Sequence, residues 1–208
     1  MTDNVWISSV LTDPDLVLMM ETDIVAEDAP KAIEALNLLN AGKSIPAQMC
    51  PRMIWPGETS KVSDRLPDLF LANAYPIVSE RGAAVLRQFD LGGGSLHAVE
   101  TVLQKDRQTP ISGTFYCWVF GNTKVAFSAE QSSGTRPFAG PNSGRWKMPF
   151  VHQDDQLAVS HAASGGADVW ADPTLFKSVF LSRRLGEALT NAGLAKAFRL
   201  FRCRVASA

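Results

Sequence analysis

Apolar and polar positions along this chain follow two periods, and the period changes often. Val5–Leu11 and Leu16–Met20 read as two strands around the turn-forming tetrapeptide Thr12-Asp13-Pro14-Asp15. A helical period follows, with Asp28 near its start, Pro30 in its first turn and Gly42 just past its end. Its apolar face is predicted to be Ile33, Leu36 and Leu39. Met49–Trp55 predicts a strand, and the polar residues 57–66 predict a loop that separates an N-terminal lobe, 1–65, from a core, 66–208. Leu96, Ala98, Val99 and Val102 suit a strand, as does Leu157–Val159. Thr114–Phe120, rich in aromatic and β-branched residues, is the clearest strand of all.

One short pattern is written twice. Ile77-Val78-Ser79-Glu80-Arg81 opens a helix closing near Leu91, and Phe180-Leu181-Ser182-Arg183-Arg184 opens another closing near Leu194. Gly82, Val85, Leu86 and Phe89 follow the first serine at the offsets that Leu185, Ala188, Leu189 and Ala192 take after the second. Each serine is placed to cap its helix, its hydroxyl accepting from an otherwise unpaired backbone N–H. A strand-like run follows each helix, Ser95–Gln104 and Ala197–Val205. Strands and helices mix without regular βαβ alternation. The predicted fold is therefore α+β, with a mixed, largely antiparallel sheet, about three helices and an internal helix–strand repeat.

Composition narrows the class. With 208 residues, 46% hydrophobic and 20% charged, the chain matches ordinary globular proteins. No apolar run approaches the roughly 20 residues that span a bilayer, so no membrane partner is expected. Acidic Asp3 stands where a signal peptide carries bases, and Cys50, Cys117 and Cys203 are odd in number and far apart. Both features predict a reduced, cytoplasmic protein. The net charge of −1 hides a polarity: residues 1–42 hold eight acids against Lys31, and residues 177–208 hold seven bases against Glu187. Either the two ends pair with each other, or an acidic face steers a basic partner.

No motif announces chemistry. Gly92-Gly93-Gly94-Ser95 follows a helix and lacks the Gly-Lys-Ser/Thr ending of a phosphate loop. The histidines His97, His152 and His161 form no metal-binding pair beyond a faint grouping of His152 with Asp154 and Asp155. A His97–Cys117 nucleophile pair requires adjacent strands, and Cys117 lies in a core-like run. No catalytic residue, metal or cofactor is therefore expected. Phe198–Val205 alternates between apolar and basic residues, which suits an edge strand guarded by arginines; a pI near 6.3 argues against a dedicated nucleic-acid binder. The Gly/Pro/Ser-rich stretch Ser128–Pro149 carries Arg136, Phe138, Arg145 and Trp146, residue types enriched at binding hot spots. The competing reading is that Phe138 and Trp146 tuck this loop onto the core.

Pro67-Asp68-Leu69-Phe70, the apolar pair before Ser79-Glu80-Arg81, Asp168-Val169-Trp170-Ala171-Asp172, Phe180-Leu181-Ser182 and Ala192-Gly193-Leu194 together resemble the family-eleven immunity proteins of bacterial polymorphic toxin systems. The resemblance spans about residues 67–205; the long 128–149 segment departs from it, and the first 65 residues have no counterpart. It implies a non-catalytic protein that binds a cognate toxin domain and neutralises it by occlusion. On residue type, Arg136, Phe138, Arg145 and Trp146 are the expected contacts, with Glu27 and Asp28 in the steering face. The alternative is a small enzyme or ligand-binding domain with a pocket under the 128–149 loop.

Overall fold

A computed structural model describes residues 4–60, 65–140 and 142–206; Asp3 and part of the 57–66 loop lie outside the described residues. The chain begins with β1 (Asn4–Ser8), β2 (Met20–Thr22), α1 (Asp23–Glu27) and α2 (Ala29–Asn40). Then come β3 (Met53–Pro56), the hairpin of β4 (Leu69–Ala72) and β5 (Tyr75–Ser79), and α3 (Glu80–Leu86). β6 (Ser95–Val99), β7 (Thr101–Val102) and β8 (Phe115–Val119) follow, then the short β9 (Phe127–Ser128), β10 (Arg136–Pro137), β11 (Trp146–Lys147) and β12 (Ala158–Val159). β13 (Val169–Trp170), β14 (Val179–Leu181), α4 (Arg183–Asn191) and β15 (Leu200–Val205) complete it. The fold is α+β with largely antiparallel pairing.

Two sheets are built to one plan. One has the order β4-β5-β8-β6, and the other contains β13-β14-β1-β15 before it extends to β12 and β9. The registers agree strand by strand. Leu69 faces Val78 as Val169 faces Leu181; Ile77 faces Cys117 as Phe180 faces Ile7; Cys117 faces His97 as Ile7 faces Phe201. The repeat seen in the helices therefore includes whole sheets, with one twist of connectivity. In the second unit the third strand is β1, from the other end of the chain.

Helices α3 and α4 start from the same three-residue device. Ser79 Oγ accepts from Gly82 N and donates to Asp68 Oδ1 at 2.6 Å, while Arg81 reaches Asp68 Oδ2 at 2.9 Å. Ser182 accepts from Leu185 N and donates to Asp168, which Arg184 approaches at 3.3 Å. The two devices also lock the helices to each other. Arg81 donates to the carbonyl of Ala192 just past α4, and Asp168 accepts from Asp90 N, past α3, at 2.9 Å. Replacing Ser182 by Ala should cost about 2 kcal/mol, and Ser79 by Ala about 1 kcal/mol, within the usual range for an N-cap. The second loss is smaller because the Asp68 side chain is 26% exposed and can turn to water, whereas Asp168 is 2% exposed and would keep only the longer 3.3 Å contact from Arg184 on that oxygen. Urea unfolding of both variants checks the order.

Strands β4, β5, β13 and β14 are buried on both faces, which is why they read as continuous apolar runs. Between the sheets lie Leu69, Val78, Trp118, Val169 and Leu181, together with Leu86, Leu185, Leu189 and Phe198. The outer face of the first sheet packs Ile77 and Cys117 against α2 and the β2-β3-β7 sheet. The outer face of the second packs Ile7, Phe180 and Cys203 against Leu157, Leu175, Met148 and Trp170.

The structure corrects several expectations. β1 and β2 do not form a hairpin but join different sheets. Residues on either side of the 57–66 segment share sheets, since β1 lies inside the C-terminal sheet and β3 pairs with β7. α2 turns Ala32, Ala35 and Leu39 inward and leaves Ile33 61% exposed. Small residues win that face because they let the helix approach Tyr75, whose hydroxyl reaches the carbonyl of Ala32. β15 is no edge strand; β1 and β12 flank it.

Candidate protein-interaction surface

The segment 128–149 is not an irregular loop. Arg136 faces Lys147 and Pro137 faces Trp146 in the β10–β11 hairpin. Phe138 N donates to the carbonyl of Arg145 at 2.8 Å, and Ser143 Oγ donates to the carbonyls inside the tip. Two backbone bonds, Trp146 N to Thr174 O and Phe176 N to Trp146 O, both 2.8 Å, tie the hairpin to residues 174–176. Beneath them sits buried Asp172. It accepts from Ala126 N and Phe127 N at 2.7 Å, and from Thr174 N and Thr174 Oγ1. With every acceptor position used, Asp172 is a fixed post joining β9 to the segment that carries the hairpin.

The aromatic residues hold this hairpin from below. Trp146 is half-buried against the outer core, and Phe138 stacks on Phe176 with ring centroids 4.2 Å apart. Both rings therefore do tuck the segment down. The cations stay outside. Arg145 lies 4.9 Å over the Phe138 ring, as does Lys147, while Lys177 lies 5.6 Å over Phe176 and Arg136 lies 3.9 Å over Phe150. A cavity of about 350 Å³ opens among Arg136, Lys147, Met148, Phe150, Phe176 and Lys177. Phe150 and Val151 stand at 83% and 67% exposure. Among the described residues, none of Arg136, Arg145, Lys147 and Lys177 forms an ion pair. Lys147, Phe150, Phe176 and Lys177 were missed by sequence reasoning. The run Met148-Pro149-Phe150-Val151, apolar right after a turn-rich stretch, was the one available signal.

Glu27 and Asp28 lie elsewhere. They line a separate cavity of about 470 Å³ with Lys31, Arg52 and Glu100, and no residue is shared with the hairpin cavity. Asp28 also caps α2 through Lys31 N at 3.1 Å. Among the described residues, Arg199 joins the charged ends of the chain, pairing with Asp13 at 3.0 Å and Asp15 at 3.9 Å. Arg202 is held by Asp154 and Asp155, and Arg204 by the carbonyls of Asp155 and Gln131. That basic strand face is therefore engaged internally.

The residues considered for chemistry are also accounted for. His97 and Cys117 do face each other on adjacent strands. However, His97 Nε2 pairs with Ser95 Oγ at 2.8 Å, and burial lowers its pKa. The Cys117 thiol, completely buried, is pushed well up by a hydrogen bond with Cys50 and by burial. A protonated thiol opposite an imidazole bonded elsewhere is not an activated nucleophile. His152 stacks on Phe201 at 4.8 Å, while Asp154 and Asp155 face Arg202. Among the described residues no group of three metal-ligating side chains converges, and no helix is long and apolar enough to cross a membrane. No protein-family model matches the chain, and no curated protein does either.

Proposed function

We propose that this chain is an immunity-type protein that binds a cognate toxin domain in the cytoplasm and silences it by covering its active site. The carrying observation is the hairpin surface, where four cations without ion pairs among the described residues rest on aromatic rings, three of them on the stacked Phe138–Phe176 pair and Arg136 on exposed Phe150. Arginine and aromatic side chains dominate the energetic centres of protein interfaces. The resemblance of residues 67–205 to family-eleven immunity proteins supports the same reading. Within it, Trp146 and Phe138 hold the hairpin in shape, while Arg136, Arg145, Lys147 and Phe150 reach the partner.

The reading is tested by titrating the purified chain against a toxin domain encoded beside it. Neutralisation complete at one copy per toxin is the expected result for occlusion. Loss of toxicity at a small fraction of that ratio would favour the second reading, a small enzyme. The cavity of about 350 Å³ beside the hairpin is the observation in favour of that alternative. Toxin left fully active at excess chain would contradict the immunity reading outright.

A further inference from the structure

We propose that the hairpin surface receives an acidic segment of the partner protein, with an apolar side chain of that segment entering the cavity beside Met148 and Phe176. This deepens, and rests on, the reading of the chain as a toxin-binding protein. One of the two readings of the charge pattern in the sequence was the opposite, a basic partner steered by the acidic N-terminal residues.

Arg136, Arg145, Lys147 and Lys177 sit on ring faces, and a ring quadrupole orients a cation without neutralising it. Most acids around the hairpin are committed: Asp13 to Arg199, Asp154 and Asp155 to Arg202, and Asp172 to backbone N–H groups; exposed Glu130, the one acid of the 128–149 segment, forms no ion pair with the four cations. The surface therefore keeps a positive potential that selects an acidic partner and speeds its encounter. Exposed Phe150 and Val151 on the same side add apolar area of the kind that fills an interface centre. The acidic cavity around Glu27 and Asp28 is less suited, because Lys31 and Arg52 already line it.

A single-stranded nucleic acid is the other polyanion to weigh. Its bases need open ring faces on which to stack. Phe138 is stacked on Phe176 and crowded by Arg145 and Lys147, and Phe150 has Arg136 over one face, which leaves a single open ring face and no series of them for successive bases. An acidic polypeptide needs only the cations, and these are what the surface exposes.

The test is fluorescence anisotropy with three labelled probes: a glutamate-rich peptide with a central leucine, the same peptide with glutamine for glutamate, and an oligothymidylate. The acidic peptide should bind, more weakly as salt rises. Its affinity should fall at least about tenfold in the Arg136→Glu/Lys147→Glu variant, and should hold in Glu27→Lys/Asp28→Lys. Lys177→Glu, on a separate segment, should weaken it too, and a cooperative thermal transition in each variant would show that all of them fold. Equal binding of acidic and neutral peptides, tighter binding of the oligothymidylate, or a loss confined to the Glu27/Asp28 variant would overturn the proposal. Acidic-peptide binding by a chain that leaves the toxin active would keep this surface and remove the immunity reading. Full neutralisation by the Arg136→Glu/Lys147→Glu variant would do the reverse.

Discussion

Deletion of residues 1–8 is expected to unfold the protein rather than trim its end. β1 lies between β14 and β15, so its loss breaks two ladders and leaves two new unpaired edges inside a sheet. It also removes Val5 and Ile7, both buried, each side chain contributing roughly 1.5–3 kcal/mol. The hydroxyl of Ser8, which holds the carbonyl of Phe198 at 2.6 Å, goes with them. Adding ladder hydrogen bonds at about 1 kcal/mol each brings the loss close to the whole stability of a typical domain. Circular dichroism should show no cooperative transition. A permuted chain tests the cause. Asn4 faces Arg204 across β1 and β15, so a short linker from Ala206 to Asn4, with new ends near residue 65, should preserve the fold. Failure of that permutant, or a folded deletion, would contradict the closure of the second unit by β1.

Gly186→Ala should destabilise by about 3 kcal/mol, at the upper end for overpacking. Helix propensity predicts the opposite, since alanine is better than glycine by about 1 kcal/mol in a helix interior. The steric effect wins because an added Cβ would lie closer than 3.0 Å to Cδ1, Cγ and Nε1 of Trp6. These atoms include Cγ at the root of the indole, so relief needs a new Trp6 rotamer or a shift of β1. At two to four degrees per kcal/mol for a chain of this size, the thermal midpoint should fall by roughly 6–12 °C. Trp6→Ala in the same protein should recover much of that loss relative to Trp6→Ala alone, a coupling read from the double-mutant cycle. A midpoint that rises would show that Trp6 does not press on α4.

The legible parts of the fold are those decided locally. Ser79 and Ser182 announced their helices because a cap is made with residues three positions on. Asp28, Pro30 and Gly42 likewise bracketed α2, with Gly42 adopting a φ of +69°. The buried face of that helix was misread because Ala32 and Ala35 carry little hydrophobic weight, although their small size allows the close approach. Distance in sequence hid the rest. Nothing near Val5 indicates that its neighbours are Cys203 and the strand after Trp170. In the hairpin surface, Arg136, Phe138, Arg145 and Trp146 were visible by type, yet their division into anchors and outward cations was not. That division depends on Phe176 and Thr174, which the fold brings from some thirty residues away through bonds fixed by Asp172.

The most direct test of toxin capture through the hairpin is a paired pull-down from the native cell. One bait is the wild-type chain and the other is Arg136→Glu/Lys147→Glu, with bound proteins identified by mass spectrometry. A toxin domain retained by the first and lost by the second is the expected result. A toxin domain held equally by both, or recovered with neither, would contradict the assignment.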